Sequence, residues 1–244
     1  MKPINRLLLA SLASATLIAC SDNDPTVSDP EPAPIDAQFS VSITNLTYAQ
    51  PFSPVAVMLH RSGYTAFVDG ETANGAFERL AEAGDNSGVL GDAAANAAFI
   101  ASTSTAGPLP PLSRSSALNL DVPTADLGDL KLSVVSMLVH TNDAITGTNA
   151  FDLSGMGVGD RRVISGPTWD AGTEANSETA ATLPGPDFGG EGFNAARDDT
   201  LDRVRIHAGV VTSASSEFGL PTSALTERHR FLNPSSRIVV TRTR

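Results

Sequence analysis

Three acidic side chains in two turn-rich segments carry the most suggestive chemistry in this chain: Asp143 in Thr141-Asn142-Asp143, and Asp170 and Glu174 in Pro167-Thr168-Trp169-Asp170-Ala171-Gly172-Thr173-Glu174. Calcium takes roughly six to eight hard oxygen ligands on a pliable backbone. Asp170 and Glu174 supply two carboxylates, and Gly172 between them lets the backbone curl around an ion. Asp143, from a separate loop, closes the set. The D-x-x-x-E spacing alone leaves other readings open. The same residues also describe a solvated turn, or an ion-free loop held by hydrogen bonds from Thr168 and Thr173. Trp169, the single tryptophan, directly precedes Asp170 and is expected to pin the loop to the body of the domain.

A second chemical signal lies near the N-terminus. Lys2 and Arg6 form a positive start, and Leu7 to Ala19 form an apolar run too short to span a bilayer. The run ends in Leu17-Ile18-Ala19-Cys20, which resembles a bacterial lipobox: residues 1–19 are read as a signal peptide and Cys20 as the acceptor of a diacylglycerol thioether. Cys20 is the only cysteine, so disulfides are excluded. Several acyl chains on one residue give lasting attachment where one chain alone holds marginally. The expected partner is therefore a membrane, reached through lipid. Ser21 after the cysteine points to the outer membrane of a bacterial envelope.

The residues on which enzymes depend are sparse. Neither H-E-x-x-H nor G-x-S-x-G occurs, and Gly155-Met156-Gly157-Val158-Gly159 lacks a phosphate-binding lysine. His60, His140, His207 and His229 fall at or near expected strand ends and read as structural imidazoles, while a Ser-His-Asp set gathered from distant positions stays open because triads are defined by geometry. Paired carboxylates acting on a glycan need aromatic stacking residues, and only Trp169, Tyr48 and Tyr64 are present beyond phenylalanine. The formal net charge is −11; without Lys2 and Arg6 it becomes −13, with 14 basic against 27 acidic side chains. Such a balance excludes nucleic acid as a partner and disfavours a generally basic membrane-binding surface.

These groups need a scaffold, and the patterning supplies one. Residues 20–36 follow the lipid site as an acidic, proline-rich tether that cannot bury enough apolar surface to fold. Residues 37–244 suit one β-rich domain. Alternation in Phe39-Ser40-Val41-Ser42-Ile43 predicts a half-buried strand, and Pro54–His60 a more fully buried one. Further strands are expected at Ser115–Val122, Leu130–His140, Asp202–Val211 and Arg237–Arg242, with short helices at Glu71–Ala83 and Asp92–Ala101. No βαβ rhythm appears, so the expected fold is all-β, an antiparallel sandwich with short decorating helices. Charge is uneven: residues 141–202 hold eleven acids against Arg161, Arg162 and Arg197. Arg228, Arg230, Arg237, Arg242 and Arg244 then reverse the sign, and read as an edge strand protected by solvated charge.

In its order of signals the chain resembles the spondin N-terminal domain. The residues that carry the likeness are FSVSITNLT, SPVAVMLH, FERLAEAGDNSGVL, LSVVSMLVHTND, PTWDAGTEANSE, LDRVRIHAGV and SSRIVVTRTR, with WDAGTE the most specific. The resemblance implies a C2-like β-sandwich over most of 38–244, and calcium ligation by Asp143, Asp170 and Glu174. It departs in HTNDAITG, where animal members carry a Pro-Ser-Pro-Asp-Trp-like turn, in Glu174, where they carry aspartate, and in lacking their disulfides. It further implies a binding or adhesion module whose partner is a glycan or an extracellular or envelope protein. The alternatives are an envelope hydrolase acting on glycans and an ion-free structural lipoprotein.

Overall fold

Alternation is realised in β1 (Ala37–Asn45), whose Phe39, Val41 and Ile43 enter the core while Ser40 and Thr44 turn outward. The computed structural model describes residues 36–214 and 222–244; the signal segment, Cys20 and nearly all of the tether lie outside the described residues. Pro34–Arg244 is one compact unit. Its other strands are β2 (Ala56–His60), β3 (Phe99–Ser104), β4 (Leu118–Val122), β5 (Lys131–Met137), β6 (Ala144–Asp152), β7 (Arg161–Gly166), β8 (Thr168–Asp170), β9 (Arg205–Ile206) and β10 (Ser236–Arg242). They form an antiparallel sandwich of two sheets, ordered β4-β1-β10-β7 and β3-β2-β5-β6-β8-β9. The helices are α1 (Gly75–Ala83) and α2 (Ser87–Ala95).

The two sheets differ in how they are covered. In the six-stranded sheet, Val57 and Leu59 of β2 face the sandwich interior, while Ala56 and Met58 face a second apolar cluster with Phe77, Leu80 and Val89 of the helices. A strand buried on both faces must be apolar throughout, which explains the unbroken run in Pro54–His60. Only one face of the four-stranded sheet is covered. Within the six-stranded sheet, β6 crowds β5 at Gly147, where a Cβ would lie 1.7 Å from the Val134 carbonyl oxygen, so no larger residue fits there.

Three expectations are corrected. Helix was expected over Asp92–Ala101, but α2 ends at Ala95, Asn96 turns the chain and β3 begins at Phe99. Strand was expected over Asp202–Val211, but only Arg205–Ile206 pairs, because β8 offers a short partner. Most consequentially, β10 is not an edge strand: β1 bonds one side of it and β7 the other. Its arginines therefore have no edge to protect. No helix among the described residues is long and apolar enough to cross a membrane.

Candidate cation site

The chain enters β1 at Ala37 and leaves it at Asn45, the last of its nine residues, roughly 27 Å away at the rise of an extended strand. The sequence-predicted loops gather at this far end. Gln50, fully buried, ties them together: its amide nitrogen donates to the carbonyls of His140 and His229, both at 3.0 Å, and its oxygen accepts from His140 N–H at 3.1 Å. Pairing of Ala144 with Asp170 then brings Asp143 alongside the Trp169–Glu174 loop. Trp169 is buried and packs edge-on to Phe67, with ring centroids 4.8 Å apart. Gly172 has φ +73°, and a Cβ there would lie 2.4 Å from the Arg203 backbone, so the curl admits glycine alone.

Asp143 is 0% exposed. Its Oδ2 accepts from the backbone N–H of Thr173 at 2.8 Å and of Glu174 at 3.2 Å, while its Oδ1 has no partner. Burial, then the charge of nearby Asp170, pushes its carboxyl up to about 7. Glu174 accepts from the Asn142 amide at 3.1 Å. Burial pushes it up to about 8, with Glu82, Asp143 and Asp198 adding repulsion. Asp170 differs, since both its oxygens are engaged: Oδ1 by Gly172 N–H at 2.9 Å, Oδ2 by Asn176 at 2.7 Å and Arg205 at 2.8 Å. Burial raises this carboxyl too, against the opposing pull of Asn176 and Arg205. Arg205 also binds Asp199 at 2.7 Å, and one guanidinium thus serves two carboxylates.

Glu82 belongs to the site although the sequence gave no sign of it. It lies on α1, where Asn74 caps the start through Phe77 N–H at 2.8 Å and Gly84 closes the end at φ 68°. The Thr173 side chain lies near enough to Glu82 to ease its charge, and its hydroxyl donates to Asp143 Oδ2 at 3.4 Å, so one threonine stands between the two acids. Glu82 is 1% exposed. Its Oε2 accepts from Asn194 N–H at 2.9 Å, its Oε1 has no partner, and burial raises its pKa. Helical spacing revealed only the apolar stripe of α1; the long 171–204 segment that covers the charged side came from elsewhere in the chain. One turn earlier, Glu78 shows what a matched acid looks like here, held by Arg197 through two bonds of 2.9 Å.

Glu82, Asp143, Asp170 and Glu174 are thus buried or half-buried at this end of the sandwich, and of these four only Asp170 bonds a guanidinium, that of Arg205. An unpaired carboxylate oxygen taken out of water is costly unless a cation or proton reaches it. Asp143 Oδ1 and Glu82 Oε1 are such oxygens, and the Thr173 hydroxyl adds a neutral oxygen beside them, whereas the Asn142 side-chain oxygen is taken by Glu178 N–H at 3.0 Å. This donor set fits a hard cation better at Asp143, Glu82 and Glu174 than at Asp170, whose oxygens are already taken. Among the described residues, no three side chains of the His, Cys, Asp or Glu type converge closely enough to hold a metal as they stand. Closure of the set around an ion therefore requires side-chain rotation or backbone carbonyls.

His140 lies at the same end, with Nδ1 2.9 Å from the Ala49 carbonyl oxygen and Nε2 3.0 Å from Asp187 Oδ2. Neither serine, threonine nor cysteine lines the cavity of about 450 Å³ that it shares with Asp187 and His229. His60 bonds Ser133 at 2.9 Å, and His207 is buried, which lowers its pKa to about 4. No protein-family model matches the chain, and no curated protein matches it.

Proposed function

We propose that this protein is a cell-envelope lipoprotein, anchored through Cys20, whose spondin-like domain is a calcium-stabilised binding or adhesion module. One observation carries the reading: two fully buried carboxylate oxygens, on Asp143 and Glu82, lack any partner on either side of Thr173. Calcium would be held by Asp143, Glu82 and Glu174, with Asp170 joining only where it exchanges Arg205 for the ion. The ion supplies positive charge that neutralises clustered acids and orders the loops bearing them. Two features of the same end suit it to recognition. A cavity of about 550 Å³ is lined by Leu46, Tyr48, Arg230 and Leu232 among others, and Tyr48 and Leu232 are 66% and 86% exposed. Exposed aromatic and aliphatic side chains beside charged groups are what a glycan or protein partner would use.

The test is thermal unfolding of residues 21–244 with calcium, with magnesium and with chelator, alongside Asp143→Asn and Glu82→Gln. Calcium is expected to raise the midpoint of the parent and to raise neither variant equally. Coincident curves for the parent in calcium and chelator would remove the metal site and leave an ion-free structural lipoprotein.

A further inference from the structure

The outward face of the four-stranded sheet is the electrostatic opposite of the loop end. Its side chains follow from the register. Phe39, Val41, Ile43, Ile238 and Val240 enter the core, so Ser40, Ser42 and Thr44 of β1 and Arg237, Val239 and Thr241 of β10 face outward. Across from these, Arg161, Val163 and Ser165 of β7 share the face. Arg114 joins it from the other side: its backbone bridges to Thr44, and its guanidinium donates to Ser42 Oγ at 2.6 and 3.1 Å. On these strands the only outward acid is Asp121, at the chain-entry end, and it is bound by Gln38 and Arg244.

Arg114, Arg161 and Arg237 are exposed, and none has an ion-pair partner among the described residues. The chain has 27 acids to 16 bases, so leaving three arginines unmatched on one face is the reverse of what its composition favours. Edge protection does not account for Arg237, because β10 is hydrogen-bonded on both sides.

We propose that this face docks on a surface of anionic phospholipid headgroups. Arginine offers planar, bidentate donors that match phosphate, and the intervening serine and threonine hydroxyls add further donors. The arrangement favours a surface over a linear polyanion. Arg237 and Arg114 flank Thr44, roughly 10 Å apart at the spacing of neighbouring strands, whereas Arg161 lies four residues along β7 from the partner of Arg237, roughly 14 Å away. Three charges set in a triangle on an outward sheet face meet three separate headgroups at once, and a single extended chain reaches only part of the triangle. β1 of this sheet follows residues 20–36 in the sequence, and the choice of a lipid surface as partner rests in part on the lipid anchor at Cys20 proposed above.

The experiment is sedimentation of residues 21–244, made without lipid, with phosphatidylglycerol vesicles and with phosphatidylcholine vesicles. Chelator is present throughout, so that calcium cannot bridge acids to phosphate. The parent is expected to partition onto phosphatidylglycerol alone and to be released by salt, since such attraction is screened within a Debye length. Arg114→Ser/Arg161→Ser/Arg237→Ser is expected to lower that partition by about a hundredfold, from roughly a fivefold contribution per basic residue near an anionic surface. Arg161→Glu/Arg237→Glu keeps the Arg114 bond to Ser42 and is expected to abolish binding with an unchanged unfolding midpoint. Equal sedimentation with both vesicles, or equal binding by parent and variants, overturns the proposal. So does an arginine-dependent complex with heparin in place of vesicles, which would assign the face to a glycan polyanion.

Discussion

The loop end and the outward face of the four-stranded sheet handle charge in opposite ways. At the loop end, acids are buried with too few cations: Asp143 and Glu82 each leave an oxygen unpaired, and Arg205 divides itself between Asp170 and Asp199. On the sheet face, arginines stand in water with too few acids. The first arrangement is costly to fold and is relieved by a ligand; the second costs little and is available to a partner. Burial, more than charge count, decides which region affects stability and which affects only binding.

That contrast can be broken most severely at Gly172. Gly172→Ala is expected to destabilise by about 3 kcal/mol or more, because the new Cβ meets backbone at a positive φ. Urea unfolding measures it, and a loss below about 1 kcal/mol would show that the loop relaxes freely.

Next in size is Arg205→Ala, which leaves buried Asp170 and partly buried Asp199 unmatched. A loss of about 2–4 kcal/mol in chelator is expected. Calcium is expected to restore more stability to this variant than to the parent, since Asp170 becomes free to bind it. A variant that gains no more from calcium than the parent does would argue that Asp170 takes no part.

The pH response sharpens the same point. Asp143 and Glu174 have folded pKa values raised to about 7 and about 8. The folded state therefore holds more protons than the unfolded chain from about pH 4 to pH 8. Stability of the metal-free protein is expected to be fullest at the acid end of that window and to fall as pH rises through it. Excess calcium is expected to offset the fall by about 2.7 kcal/mol at a hundredfold excess over its Kd. Melting midpoints at pH 5 and pH 8, with and without calcium, give the comparison; a metal-free midpoint that climbs with pH would contradict it.

The smallest effect belongs to the sheet face. Arg161→Ser and Arg237→Ser are each expected to change stability by no more than about 0.5 kcal/mol. A larger loss would mean that these arginines hold structure and are not available to a ligand.

The sequence by itself determined the all-β architecture and the first strand, since period-two alternation in Phe39–Ile43 states which side is buried. It also determined that Gly172 permits a curl between Asp170 and Glu174, a local matter of backbone freedom. It misassigned Arg237 because sequence carries charge and strand propensity but not neighbours; that β10 lies between β1 and β7 is fixed by long-range pairing alone. Strands β6 and β8 went unread for a related cause, their partners supplying the burial that their own patterns understate, and β7 because its mostly exposed residues become a strand only through pairing with β10. Glu82 was silent for the same reason: on an isolated helix it is a solvated acid. Only the tertiary structure places it against Thr173 beneath the 171–204 segment, and there desolvation turns an ordinary surface residue into an unpaired buried carboxylate.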